Sequence, residues 1–244
     1  MDSTTLTSDS EYEIAVLSDI HGNLPALEAV LEDMPADLTA IVCLGDIIGY
    51  NAQPQACLET VREVCTHIVR GNHDRDVVNP ERYRASGWSL SGGNVAVRKG
   101  LELAQEKLSE REIEWLQDLP DTTTIHSNRL LLCHSHPEER DTYVRKGDFP
   151  SVSTYMDPET EFLLVGHTHE QAAVNMSNFD RHGWVVNPGS VGQPRDGTEA
   201  KYAIVSAEDD TLAVDLRSVS YPVDEIVRRN AEYELPDSTS ERLT

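Results

Sequence analysis

The sequence predicts an α/β protein built as a four-layer α-β-β-α sandwich, two mixed sheets packed face to face with helices outside. Three observations lead there. Up to about residue 80, short apolar runs alternate with helical patterns, which is the mark of parallel strands joined by crossover helices. After Pro120 the pattern changes to six further strands, more than one modest sheet needs. Short polar clusters also stand at the ends of the apolar runs, where ligands gather outside the carboxyl ends of parallel strands.

The elements follow in order. Ile14-Ala15-Val16-Leu17 is a buried strand ending at Ser18-Asp19. Asn23-Leu24-Pro25 starts a helix, with Asn as cap and Pro in the first turn, and Leu27, Val30, Leu31 and Met34 form its apolar face. Ala40–Leu44 is a second strand, 54–63 a helix, and His67–Arg70 a third strand. Residues 80–119 read as mostly helical, interrupted or begun at Ser91-Gly92-Gly93. A capping box at Ser109 and Glu112 precedes Ile113, Leu116 and Leu119 at helical spacing. Strands are then expected at 122–126, 129–133, 161–165, 184–187, 201–206 and 212–217, with a long polar loop at 135–160 and a short helix near 223–230.

A chain of 244 residues with 39% hydrophobic content suits one well-buried domain, expected over residues 11–231. Residues 1–10 and 232–244 are polar and acidic and are expected to be mobile tails. No apolar stretch reaches membrane-span length, and the polar N-terminus is not of signal-peptide type, so no membrane partner is expected. Cys43, Cys57, Cys65 and Cys133 include no CxxC pair, which fits a reduced, cytoplasmic setting. Asp and Glu total 43 against 20 Lys and Arg, a formal charge of −23. Such self-repulsion is tolerated in halophilic proteins, so a halophile's acidic enzyme is expected. Extended nucleic-acid binding, which needs a basic stripe, is not.

The clusters are Asp19-Ile20-His21, Gly45-Asp46, Gly71-Asn72-His73-Asp74, His134 and Gly166-His167-Thr168-His169. They offer carboxylates, imidazoles and one amide, the donors that hard and borderline divalent metals take. Asp19 and His21, like His167 and His169, are separated by one residue, so each pair can leave a strand end on the same side. So many donors exceed one ion's needs and suit two ions that share a carboxylate. In this order the motifs resemble the calcineurin-like metallophosphoesterase superfamily from about residue 13 to 217. Asp19–Asn23 and Asn187-Pro188-Gly189-Ser190-Val191-Gly192 are similar to its small single-domain prokaryotic phosphodiesterases.

The resemblance implies that Asp19, His21 and His169 bind a first metal, that Asn72, His134 and His167 hold a second, and that Asp46 bridges them through its two oxygens. His73 then contacts the phosphoryl group as a catalytic residue, with Asp74 orienting it or serving as a helix cap. The expected reaction is hydrolysis by in-line attack of a metal-bridging hydroxide, without a Ser or Cys nucleophile. Mn²⁺ is the metal expected, with Fe, Zn²⁺, Ni²⁺ or Co²⁺ compatible with the donors. The substrate is expected to be a small phosphodiester, with phosphomonoesters, phosphoproteins and dinucleoside polyphosphates as alternatives. A non-catalytic interaction scaffold of the same fold, like the eukaryotic retromer subunit, would be free to lose ligands, whereas this chain keeps all seven and His73. A repair-type nuclease would carry additional DNA-binding elements.

One departure stands out: where related enzymes usually follow the fourth-cluster histidine with glycine, this chain reads His134-Ser135-His136, leaving His136 as a competing ligand. Asn187–Ser190 is expected to bring a turn near the site. Arg195 can meet a substrate phosphate or a surface acid, Arg70 and Arg75 are expected to pair with surface acids, and Trp88 and Trp184 offer a stacking face or core packing. His126 and His182 have no evident partner in the sequence.

Overall fold

The computed structural model describes residues 11–79, 93–209 and 211–244. The expected N-terminal tail, Trp88 and the break near Ser91-Gly92 therefore lie outside the described residues.

Strands β1 (Tyr12–Leu17), β2 (Ala40–Cys43) and β3 (His67–Ile68) run parallel, joined by helices α1 (Leu24–Asp33) and α2 (Pro54–Val64). Helices α3 (Asn72–Val78), α4 (Gly93–Lys107) and α5 (Glu110–Asp118) follow. Next come β4 (Thr122–Ile125), β5 (Leu130–Cys133), the short helix α6 (Phe149–Val152), β6 (Phe162–Leu164), β7 (Ala172–Asn175) and β8 (Trp184–Asn187). The paired strands β9 (Ala200–Glu208) and β10 (Thr211–Val219) then return to the first sheet, followed by α7 (Val223–Glu232) and α8 (Asp237–Ser240).

The two five-stranded sheets have orders β10-β9-β1-β2-β3 and β4-β5-β6-β8-β7. Both are mixed: β9 is antiparallel to β1, while β5, β6 and β8 are parallel between antiparallel edges. Alternation along each strand assigns its side chains to layers. Ile14, Val16, Val42 and Leu44 meet Leu130, Leu132, Phe162 and Leu164 between the sheets. Ala15, Leu17 and Cys43 face the helices of the first outer layer, and Cys133, Leu163 and Val165 pack under Phe149 and Val152. This second outer layer is thin, because the segment between β5 and β6, expected as a long polar loop, adds only α6 and short 3₁₀ turns.

Two further expectations change. Strand β7, Ala-Ala-Val-Asn, carries too little apolar alternation to stand out in the sequence. Residues 232–244, expected as a polar tail, instead dock on the domain. Leu243 is fully buried in the first outer core and Leu235 packs with Ala52 and Leu103. Two leucines among polar residues suffice to anchor the segment, each removing apolar area worth about 2 kcal/mol from water.

Candidate active site

All five clusters converge where the carboxyl ends of the parallel strands of both sheets meet. Asp19, His21, Asp46, His134, His167 and His169 are each at most 8% exposed. The backbone makes this possible by turning sharply after each strand. Asp19, His21, Asp46, His167 and His169 all adopt left-handed φ between 51° and 67°. For residues other than glycine this conformation costs about 1–2 kcal/mol each, and such strain gathers at functional sites. Where the Asp46 turn meets the α3 turn, a Cβ on Gly71 would lie 2.0 Å from Asp46 Oδ1, so only glycine allows the approach.

Hydrogen bonds to main-chain carbonyls set each imidazole. His21 Nδ1 faces Ile48 O at 3.2 Å, His134 Nδ1 faces Leu44 O at 2.7 Å, and His169 Nδ1 faces Gln193 O at 2.6 Å. Each therefore carries a proton on Nδ1 and turns Nε2 inward. His167 is reversed. Its Nε2 faces Asp141 O at 3.3 Å, so Nδ1 is the inward atom.

The inward atoms form two groups, joined through a third made of His21, Asp46 and His73. Asp19, His21 and His169 make one, with His21 Nε2 and His169 Nε2 3.1 Å apart. Asp19 Oδ2 accepts from Ser18 Oγ and His167 N, while the buried Oδ1 has no hydrogen-bond partner and lies 3.2 Å from His169 Nε2. Asp46, His134 and His167 make the second. Asn72 Oδ1 adds to it, standing 3.2 Å from His134 Nε2, 2.8 Å from His167 Nδ1 and 3.3 Å from Asp46 Oδ2. An amide oxygen among lone pairs, and a carboxylate oxygen lacking a donor, are unfavourable as hydrogen-bonding arrangements and favourable around cations. The donor set thus fits divalent metal.

Asp46 Oδ1 accepts from His73 N at 2.8 Å, while Oδ2 lies between the groups, 3.4 Å from His134 Nε2 and 3.8 Å from His21 Nε2.

The electrostatics agree. Burial would raise the Asp19 and Asp46 carboxyls, but the imidazoles around them, His169 and His134 for Asp19 and His134 and His73 for Asp46, hold both well below the carboxylate range. Against burial, the Asp46 and Asp19 charges push His134 up to about 10. Burial and the His134 charge bring His167 down to about 4, and burial also lowers His21 and His73.

His73 lies beside the donors, with Nε2 4.0 Å from Asp46 Oδ2 and a buried Nδ1 that has no hydrogen-bond partner. Its ring packs between Tyr50 and His21, with centroids 4.9 and 4.8 Å away. Gly49, at φ 98°, makes room for it, since a Cβ there would approach His73 Nδ1 to 2.5 Å. Asp74 does not orient the imidazole. Its two oxygens accept from Gly71 N, Asp46 N, Ile47 N and Ile48 N, fastening α3 to the Asp46 loop. His136 also turns away, with Nδ1 accepting from Glu138 N and Glu139 N.

Arg195 reaches the site. Its Nη1 donates to Thr168 O at 3.4 Å, and the neighbouring Tyr143, Tyr50 and Asp19 hold its pKa up against burial. The Asn187–Ser190 turn supports the same region: Asn187 Nδ2 donates to Gly166 O, and Ser190 Oγ to Asp19 O. Arg70 pairs with Asp121, and Arg75 with Asp121 and Asp141. Trp184 packs at the edge of the inter-sheet core. His126 lies against Tyr12, and His182 lines a separate surface cavity of about 220 Å³.

Tyr50, Asn51, Asp141 and Tyr143 were missed in the sequence. Tyr143 stacks on His167 with centroids 4.3 Å apart. Asn51 Nδ2 donates to His21 O at 3.0 Å. Gly49-Tyr50-Asn51 directly extends the Gly45-Asp46 cluster and was open to recognition, whereas Asp141 and Tyr143 sit in a polar stretch without periodicity.

Residues 12–210 match the family model of the calcineurin-like phosphoesterase superfamily domain. An uncharacterized protein of Methanocaldococcus jannaschii is 29% identical, with 94% of this chain and 96% of that protein covered. Phosphodiesterase YfcE of Escherichia coli is 28% identical over 81% of this chain and 88% of its own. The crystal structure of a metallophosphoesterase from Sphaerobacter thermophilus superposes with a TM-score of 0.76 at 28% identity, covering 96% of this chain and 98% of that one. With most of its length inside the family model and the donors gathered at its strand ends, the chain belongs to the calcineurin-like phosphoesterase superfamily and is a metal-dependent phosphoric ester hydrolase.

Proposed function

We propose that this hydrolase is a phosphodiesterase of small molecules that works with two divalent ions. The observation that carries the reading is the pair of donor groups meeting at Asp46 Oδ2. Asp19, His21 and His169 would hold one ion, Asn72, His134 and His167 the other, and Asp46 both. Mn²⁺ is our choice, because mixed His, Asp and Asn donors suit it and leave Fe, Zn²⁺, Ni²⁺ and Co²⁺ as competitors. Bound ions supply Lewis-acid polarisation of the phosphoryl oxygens and a nucleophile from water at neutral pH.

The protein's own side chains do the rest. His73, with a free ring nitrogen, contacts the phosphoryl group and supplies a proton to the departing oxygen or stabilises its charge. Arg195 binds a non-bridging oxygen, a role for which a guanidinium held by the Thr168 carbonyl is suited. Buried walls around His73 and Asp46 keep bulk water from screening these contacts. Likeness to the Escherichia coli phosphodiesterase favours diesters over monoesters.

The test is turnover of bis-p-nitrophenyl phosphate beside p-nitrophenyl phosphate, after chelation and again with Mn²⁺ restored. Metal-restored hydrolysis with the diester faster is expected, and a faster monoester would make the protein a phosphatase. The formal charge of −23 further supports a cytoplasmic enzyme of a salt-rich cell. Its unfolding temperature should fall on transfer from molar salt to dilute buffer, and no change would remove that assignment.

A further inference from the structure

Among the inward-facing imidazoles, His167 alone is braced by the stretch between β5 and α6. The carbonyl it faces belongs to Asp141, a non-glycine residue at φ 65°. Three contacts of separate origin hold Asp141. Its N–H donates to Ser135 Oγ at 3.1 Å, so the serine that follows His134 in place of glycine acts as a loop fastener. Its carboxylate pairs with Arg75, which lies on α3 two residues beyond His73. Its main-chain oxygen receives His167 Nε2.

Arg75 is held in turn. It also faces Asp121 at 3.9 Å, and Asp121 pairs with Arg70 at 3.0 Å and Arg140 at 2.5 Å. This network joins the end of the first sheet, helix α3 and the loop. Arg75 is 12% and Asp141 40% exposed, so solvent screens the pair only in part.

The proton on His167 Nε2 leaves the Nδ1 lone pair facing Asn72 and Asp46. Moving the Asp141 carbonyl would free the ring to rotate or change tautomer, and the inward donor would be lost. We propose that Arg75 and Asp141 are positioning residues for the second-ion site, setting His167 from outside and tying it to the helix that carries His73. The inference rests on the two-ion reading. Neither side chain touches the donors' inward atoms, so each acts through another residue.

The experiment is titration of the chelated full-length protein with Mn²⁺ by calorimetry, for wild type and the variants Arg75→Gln, Asp141→Asn and Arg75→Lys. His167→Ala identifies which binding step belongs to the second ion. In Arg75→Gln and Asp141→Asn that step should weaken by about 10- to 100-fold, the usual effect of losing an outer partner of a metal ligand, while the other step stays within twofold. Asp141→Asn keeps the carbonyl and removes only the charge, and Arg75→Lys should recover part of the loss. An unchanged second step in both charge-removing variants overturns the proposal. So does equal weakening of both steps with a lowered unfolding temperature, which marks a general structural role. Wild type that binds only one ion overturns the two-ion reading itself, and the inference with it.

Discussion

Around Asp19 and His21 the bracing is main chain. Asp19 N and His21 N donate to Gly45 O and Asp46 O at 3.0 and 2.9 Å. Val191 N and Gly192 N bond back to Ser18 O and Asp19 O, both at 3.0 Å. Around His167 and Asn72 the support differs. One sits against a carbonyl of a polar loop and the other at the start of a seven-residue helix, and charged side chains at the surface hold both elements in register. The first group is thus fixed by buried amides, while the second adds partly exposed ion pairs to the buried amides that Asp74 and Asp19 hold. Buried main-chain bonds resist salt and solvent, whereas exposed pairs contribute little each and act through their network. The second group is therefore the softer of the two.

Asp46→Asn should erase this contrast. It touches both groups through Oδ2, so occupancy of both ions and nearly all turnover are expected to go together, measured by metal analysis beside diester hydrolysis. Retention of one tightly bound ion would show that the groups are independent. His73→Ala should spare both groups and lower turnover by about 10²- to 10⁴-fold, the usual range for a lost acid–base residue. Wild-type rates with every ester tried would remove His73 from the chemistry.

A smaller effect separates the groups by pH. In the chelated protein His134, with a folded pKa of about 10 against an ordinary 6.5, stabilises the fold when protonated. That contribution is fully present below pH 6.5 and disappears as pH rises through about 10. In the metal-loaded protein His134 is already an unprotonated ligand, so the loss is absent. Thermal unfolding across this range, with and without Mn²⁺, should show the alkaline decline in the chelated sample alone. Parallel curves would contradict the charge assignment.

What the sequence disclosed follows the same divide. Donors placed directly after apolar runs, such as Asp19 after Leu17-Ser18 or His167 after Val165-Gly166, were legible because strand periodicity fixes where the chain turns. The alternation of Ile14 and Val16 against Ala15 and Leu17 likewise anticipates two packed faces. Asp141 was not legible, because it acts through a main-chain carbonyl that every residue possesses, and its partner Arg75 lies 66 positions away. Of the two roles open to Asp74, the helix cap is the one it fills: its oxygens accept from Gly71 N and from amides of the Asp46 loop, and adjacency to His73 alone did not separate the two. Leu235 and Leu243 were hidden by the polar residues around them, since composition averages over a segment and packing acts on single side chains.

The end-for-end symmetry of the Asn72 amide has one more consequence. Oxygen inward, it can join His134 and His167 around a cation; nitrogen inward, the same amide would donate to His167 Nδ1 and Asp46 Oδ2. One side chain thus suits either charge state of the site, with no change in the strand ends around it.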